Sequence, residues 1–186
     1  MSETSTVRSD RSGRRTAATV IAGVLLVNLV GGAPAVLSGP DSAWFRALAK
    51  PAIYPPPWLF GVVWSLLFTL LGVAVALVWL ADGGADRTAG GGRLGERGRG
   101  GRWSDRRIAL AAFVGQMVLN VAWTPAFFAA ENLLAGLVVI VALWPAVGAT
   151  IVAFDRVDRR AAALLIPYLA WVTFAALLNY RFWALN

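Results

Sequence analysis

The chain of 186 residues contains no cysteine and no histidine. The first absence excludes disulfides, thiolate nucleophiles and cysteine metal sites. The second removes the side chain that most often acts as an acid, a base or a metal ligand near neutral pH. Acidic residues are also few, with 10 Asp and Glu against 17 Lys and Arg. Much hydrolytic and metal-dependent enzymology therefore lacks its usual groups, and we expect no metal site and no required cofactor.

Apolar residues are abundant instead. They make up 58% of the chain, above the roughly 45–50% of ordinary soluble domains. About 30 Å of hydrocarbon is crossed by roughly 20 apolar helical residues, and the chain has five such segments, whose only charged residue is a terminal Arg181. The sequence thus predicts an all-α integral membrane protein, a bundle of five transmembrane helices at about 16–37, 58–80, 108–128, 133–154 and 161–183.

The basic residues are distributed unequally around these spans. All except Arg46, Lys50 and Arg181 precede the first span or lie between spans two and three or spans four and five. The positive-inside rule therefore predicts a cytoplasmic N-terminus and an external C-terminus. Charge in these connections indicates a lipid bilayer as the partner, and no nucleic acid. The Arg-rich start and the stretch Ala33 to Ala35 also fit a cleavable signal peptide, but the length of the apolar stretch favours a retained helix.

These patterns divide the chain into a tail and a membrane domain. Residues 1–15 form a basic cytoplasmic tail, and residues 16–186 form the five-helix domain. Within that domain, residues 81–107 are rich in glycine and arginine and have little to bury. We expect this segment to be a flexible cytoplasmic loop, with attraction to anionic lipid headgroups as an alternative role.

Uncommon residues in the third span share one helix face. Gln116, Asn120 and Trp123 fall within a sector of about 60°, because each helical residue advances by about 100°. Amides that form strong hydrogen bonds should avoid lipid, so this face is predicted to point into the bundle.

Two other spans offer aromatic faces of the same kind. Trp64 and Phe68 share a face in the second span, and Trp171 and Ala175 share one in the fifth. A small Ala175 among bulky side chains leaves room for a ligand or a neighbouring helix. The three faces together predict an apolar, aromatic-walled pocket. The alternative is membrane anchoring, which is the role expected of the tryptophans at span ends, Trp58, Trp79, Trp103 and Trp183.

A proline-rich loop over residues 38–57 precedes the second span. Its prolines favour extended or turn backbone, and Pro57 fits a helix entrance, where no N–H is required. A stiff loop of this kind can cover the outer end of the bundle with its aromatic residues Trp44, Phe45 and Tyr54. The alternative is a tight connection with no further role.

Three stretches carry a family resemblance. They read KPAIYPPPWLFGVVW at 50–64, QMVLNVAWTPAFF at 116–128 and LIPYLAWVTFAALLNYRFW at 165–183. In order and spacing they resemble the signatures of the tryptophan-rich sensory protein family, which includes the mitochondrial translocator protein. The resemblance extends from about residue 44 to the C-terminus, interrupted by the loop rich in glycine and arginine.

The resemblance implies a five-helix membrane protein, commonly a homodimer, that binds porphyrins, sterols and drug-like molecules beneath the first long loop. For bacterial members it also implies light-dependent degradation of protoporphyrin, with Trp64 and Trp171 as the candidate positions. By motif position, the implied ligand-binding residues are Trp44, Phe45, Pro55, Pro56, Trp64, Phe68, Gln116, Asn120, Trp123, Trp171 and Ala175.

The leading hypothesis is a membrane-embedded binding protein, a sensor or transporter, for porphyrins and related flat hydrophobic ligands. We expect protoporphyrin or haem as the ligand, without strong axial ligation of haem iron, because the chain has no imidazole or thiol. Two alternatives stay open. The first alternative is a photo-oxidative, porphyrin-degrading enzyme that uses tryptophan. The second is a dimeric scaffold whose small residues allow close helix contact.

Overall fold

The computed structural model describes residues 3–37, 39–81 and 95–186, with side chains described over 13–36, 39–81 and 104–186. In these ranges the chain forms helices and no strands. In chain order they are α1 Glu3–Leu37, α2 Ala43–Ala47, α3 Pro57–Leu80, α4 Gly95–Thr124, a π-helical turn Pro125–Ala129, α5 Leu133–Asp155, α6 Arg159–Leu164 and α7 Ile166–Leu185.

Five helical stretches of the described residues are long and apolar enough to cross a membrane. Each falls on one of the segments expected from composition, which confirms the prediction of an all-α, five-helix membrane bundle. They are Gly13–Val36, Pro57–Leu80, Ser104–Ala129, Leu133–Asp155 and Arg159–Leu185.

Successive spans run in opposite directions, so the bundle has two distinct ends. The loop end carries residues 39–56, the π turn and the C-terminus. The basic end carries the start of α1, the start of the α4 span and the junction between α5 and α6. Among residues whose side chains are described, the basic ones at this end are Arg14, Arg15, Arg106, Arg107, Arg156, Arg159 and Arg160.

The expected loop over residues 81–107 is too long at its C-terminal side, because α4 begins at Gly95. Once a helix is anchored in the bundle, each added residue gains a hydrogen bond while only one residue is fixed. Extension of α4 into a glycine-rich segment is therefore less costly than composition indicates. Residues 82–94 of the predicted loop lie outside the described residues. In the same way α1 begins at Glu3, within the predicted basic tail.

Prolines alter two of the spans. The third span ends in a π turn, in which the Ala130 N–H donates to the Pro125 carbonyl at 2.9 Å. The fifth span is broken at Leu165 between α6 and α7. Pro167 has no N–H to continue the ladder there, and the Leu165 N–H donates to the Ala162 carbonyl at 3.1 Å, which is one tight turn.

The interior consists of two packed clusters. The larger extends along the bundle toward the basic end and includes Leu71, Val147, Phe154 and Val172, all with exposed fractions of 0%. The smaller lies at the loop end and is centred on Phe45, Phe127, Leu178 and Phe182. Lipid-facing leucines elsewhere stay exposed at little cost, since acyl chains are as apolar as the side chains.

Helix α1 is the least buried span, and it depends on close backbone contact with α3. Only 6% of its apolar 18-residue stretch is buried, compared with 39% for the corresponding stretch of α3. At their closest point, a Cβ added to Gly72 would lie 2.4 Å from the Cα of Val24. One added to Gly23 would lie 2.7 Å from the Gly72 carbonyl oxygen. Glycine at these positions is therefore required for the two backbones to approach.

Candidate functional site: an aromatic cavity at the loop end

A cavity of about 380 Å³ lies within the bundle near its loop end. This volume is at the lower end of the roughly 300–1,000 Å³ typical of small-molecule sites. Its walls come from α1, α3, α4, α5 and α7, with the π turn and the 39–56 loop above. The described residues that line it include no Asp, Glu, Lys or Arg. The lining is therefore suited to the apolar body of a guest and offers no charged side chain to it.

Most of the residues singled out from the sequence lie on the cavity wall. Trp64 from α3, Trp123 from α4 and Trp171 from α7 line the same space, although each belongs to a different span. The structure thus brings together side chains that helical periodicity grouped on the inward faces of three separate spans. The full set of predicted residues on the wall is Phe45, Trp64, Phe68, Asn120, Trp123, Trp171 and Ala175.

Four predicted site residues do not line the cavity. Trp44 packs edge-on against Phe127, with ring centroids 5.8 Å apart. Pro55 lies in the loop, and Pro56 precedes the first residue of α3. Gln116 is fully buried, one helical turn or about 6 Å closer to the basic end than Asn120. It therefore supports the cavity floor from below.

Gln116, Asn120 and Tyr168 form a buried hydrogen-bond network beneath the cavity. The Asn120 Nδ2 donates to the Tyr168 hydroxyl at 2.8 Å, and that hydroxyl donates to the Gln116 Oε1 at 3.0 Å. A buried polar group without a partner lowers the stability of the fold, so this hydrogen-bond network fixes the rotamers of both amides. It joins α4 to α7 directly under the two lining tryptophans of those helices.

Asn179 fixes the orientation of Trp123. The Trp123 indole N–H donates to the Asn179 Oδ1 at 3.1 Å, and the Asn179 Nδ2 donates to the Leu133 carbonyl at 3.0 Å. The Trp123 ring also stacks on Phe127, with centroids 5.1 Å apart and planes inclined by 25°. The orientation of the Trp123 indole is therefore fixed without a ligand, by one hydrogen bond and by one stacking contact.

Two buried donors have no partner among the described residues. They are the Trp171 Nε1 and the Gln116 Nε2. The Trp171 ring lines the cavity and contacts Phe60 and Phe174. A buried indole N–H usually finds a partner. This N–H is unpaired but closed to solvent, so the rest of the Trp171 ring, and not its N–H, borders the cavity.

Several cavity residues were missed by reasoning from the sequence. Asn28 lines the wall from α1, where its Nδ2 donates to the Val24 carbonyl at 2.9 Å and approaches the Thr69 hydroxyl at 3.3 Å. Asn179 is also on the wall. Both are amides inside apolar spans, which is the same signal that identified Gln116 and Asn120. Phe60 was detectable as well, four residues before Trp64 on the same face of α3.

The loop packs tightly over the cavity. Phe45, in the short helix α2, is 5% exposed and packs against Phe182 with centroids 5.6 Å apart. The Lys50 ammonium donates to the Phe45 carbonyl and lies 4.0 Å from the Phe45 ring centroid. Partial burial lowers the pKa of Lys50 and raises the pKa of Tyr54. The sequence prediction that this loop covers the end of the bundle agrees with the structure.

The last residue of the chain clasps the loop. The Asn186 Oδ1 accepts from the Ala49 N–H at 2.8 Å. Its Nδ2 donates to the Ala49 carbonyl at 3.3 Å and to the Phe182 carbonyl at 2.9 Å. A single side chain therefore pairs with both backbone groups of one loop residue. We call these three hydrogen bonds the Asn186 clasp.

These features define a multi-pass integral membrane protein whose five helices enclose an aromatic cavity. The sequence pattern of the TspO/MBR family matches residues 20–184. The chain therefore belongs to the TspO/MBR family, as its three motifs indicate. Membership also makes it a membrane protein of the sensor or transporter type.

Curated relatives from distant organisms are similar over most of their length. The tryptophan-rich protein TspO of Chlorobaculum tepidum is 37% identical over 147 residues, which is 79% of this chain and 82% of the relative. That of Archaeoglobus fulgidus is 35% identical over 168 residues, covering 90% and 96%. The translocator protein of Homo sapiens is 36% identical over 148 residues, covering 80% and 78%.

Proposed function

We propose that this protein binds porphyrins and related flat hydrophobic molecules in the loop-end cavity, as part of sensing or transport. The observation that carries the proposal is the convergence of Trp64, Trp123 and Trp171 on one uncharged space. Large aromatic plates suit a conjugated planar ligand, because each stacked pair contributes roughly 0.5–1.5 kcal/mol beyond burial.

The first test is a titration of purified protein with metal-free protoporphyrin and with haem. The measured signal is the quenching of tryptophan fluorescence. We expect saturable quenching by both, with dissociation constants within about tenfold of each other. Iron adds little in this account, since the chain has no histidine or cysteine to ligate it. Haem binding a hundredfold tighter would contradict the stacking account, and an absence of saturable quenching by either compound would contradict ligand binding.

The positions of Trp64 and Trp171 favour a second candidate function, which is light-driven oxidation of the bound porphyrin. Both indoles line the cavity, so either is placed to give one electron to an excited guest, leaving an indole radical cation and a porphyrin radical anion. Dioxygen from air, the oxidant in this candidate, then adds to the porphyrin radical anion. We expect Trp171→Phe to slow pigment loss under illumination in air by about tenfold, measured by absorbance at matched occupancy. Equal bleaching rates in the wild type and the variant would remove this candidate.

Orientation and assembly belong to the same proposal. We place the basic end in the cytoplasm, because positively charged flanks are retained there.

We also propose a homodimer. Ala111 and Gly115 are exposed, one turn apart on α4, and a Cβ added to Gly115 would have no neighbour within 4 Å. Small exposed residues at this spacing allow a second helix to approach closely.

A further inference from the structure

Helices α1 and α3 touch near the middle of their spans and separate toward the loop end. At Gly72 a Cβ would lie 2.4 Å from the Val24 backbone. About one turn closer to the loop end, only side chains bridge the two helices, through Asn28 and Thr69 at 3.3 Å. Next, the Phe68 ring reaches across to Gly31, where an added Cβ would meet it at 2.4 Å.

Beyond Phe68 the two helices have no close contact at their small residues. A Cβ added to Gly32 or to Gly61 would have no atom of a neighbouring element within 4 Å. These glycines are therefore not needed for helix packing within the chain, in contrast to Gly23 and Gly72. Their small size leaves a slot between α1 and α3. We call this the α1–α3 slot, lined by Gly32, Ala35, Gly61 and Ser65.

The slot is continuous with the aromatic cavity. All four of its residues belong to the cavity wall, while Ala35, Gly61 and Ser65 are also exposed. On α3, Gly61 and Ser65 lie one turn apart on the same face, with the lining residue Pro57 one turn before them. Their neighbours Val62 and Leu66 are 57% and 58% exposed, which places this side of α3 toward lipid.

The slot lies inside the ends of both helices. Gly61 is four residues inside the start of α3, and Gly32 is five residues before the end of α1. At 1.5 Å per residue, both lie roughly 6–8 Å inside the ends of their helices. At the loop end, Phe45 is almost fully buried and the Asn186 clasp fixes the loop, although the lining residues Pro40 and Pro57 are exposed there.

We propose that the α1–α3 slot is a lateral portal through which apolar ligands enter the cavity from the bilayer. This inference rests on the proposed function, because a portal requires a ligand that occupies the cavity. It selects molecules that partition into hydrocarbon and are thin enough to pass between two helix backbones. Polar substituents would remain toward the loop end, near the headgroups.

Replacement of Gly61 by Leu tests the portal. The new side chain would project into the slot without a backbone clash. The matched control is Gly148→Leu on α5, where an added Cβ is equally free but no cavity wall is present. Proteins reconstituted in vesicles are mixed with vesicles that contain protoporphyrin, and tryptophan quenching is followed by stopped flow. Asn186→Ala, which opens the clasp, is measured alongside.

We expect Gly61→Leu to lower the association and dissociation rate constants together by at least tenfold. Gly148→Leu and Asn186→Ala should leave the association rate constant within about twofold of wild type. The portal is refuted if Gly61→Leu associates at the wild-type rate, or if only its dissociation becomes faster. It is also refuted if Asn186→Ala accelerates association several-fold, because entry then occurs at the loop end. Wild-type protein without saturable quenching would instead refute the proposed function itself.

Discussion

Replacement of Ala175 by Phe is expected to lower the affinity for protoporphyrin about a hundredfold, or about 2.8 kcal/mol of binding free energy. Ala175 lies on the cavity wall one turn from Trp171 on α7. A phenyl ring at this position would occupy the space between the indoles where the account places the guest. The measurement is a quenching titration at equilibrium, paired with thermal unfolding of the same sample.

The matched control is Ala170→Phe, on the same helix. Ala170 is exposed and is not part of the cavity wall, so the same added ring would project away from the cavity. We expect its affinity to stay within about twofold of wild type. If Ala175→Phe binds protoporphyrin as well as wild type while keeping its unfolding temperature, the guest does not occupy the cavity.

Replacement of Gly72 by Ala should produce the largest loss of stability among single-methyl additions. The added Cβ would lie 2.4 Å from the Cα and 2.7 Å from the N of Val24. These are backbone atoms of another helix, so no rotamer change relieves the overlap and α1 must move away. Overpacking of this kind costs about 3 kcal/mol, which corresponds to roughly 6–12 °C in the apparent Tm of a chain this long.

The control for this variant is Gly148→Ala, where the added methyl group has no neighbour within 4 Å. Alanine is a better helix former than glycine by about 1 kcal/mol, so this variant should be as stable as wild type or slightly more. Both proteins are compared by thermal unfolding in one detergent. Equal melting temperatures for Gly72→Ala and wild type would mean that α1 does not pack on α3 through this glycine.

The number and position of the spans followed from the sequence for a simple physical reason. Backbone polar groups in hydrocarbon must pair within their own segment, so apolar runs of the required length become helices. The inward faces followed from the same reasoning, because amides such as Asn120 avoid lipid. Helical periodicity gives the direction of a side chain but not its depth. For that reason periodicity predicted that Gln116 points into the bundle, where it is buried, but could not show that it lies below the cavity wall.

Other features depend on contacts that no local pattern contains. The π turn at Pro125 interrupts the regular step of about 100° per residue and places Phe127 in the loop-end cluster. The clasp joins Asn186 to Ala49, which are 137 positions apart in the chain. The extension of α4 back to Gly95 depends on propagation from a packed helix. These features arise only when the whole bundle is assembled.

The central claim is that a planar guest lies between the indoles of α3, α4 and α7. It is tested most directly by ¹⁹F NMR of protein labelled with fluorotryptophan, with resonances assigned through single Trp→Phe variants. On addition of protoporphyrin, ring currents should shift the signals of Trp64 and Trp171 strongly. The signals of Trp58 and Trp79, which are 68% and 56% exposed and do not line the cavity, should stay in place. Large shifts at Trp58 and Trp79 with none at Trp64 and Trp171 would contradict the account.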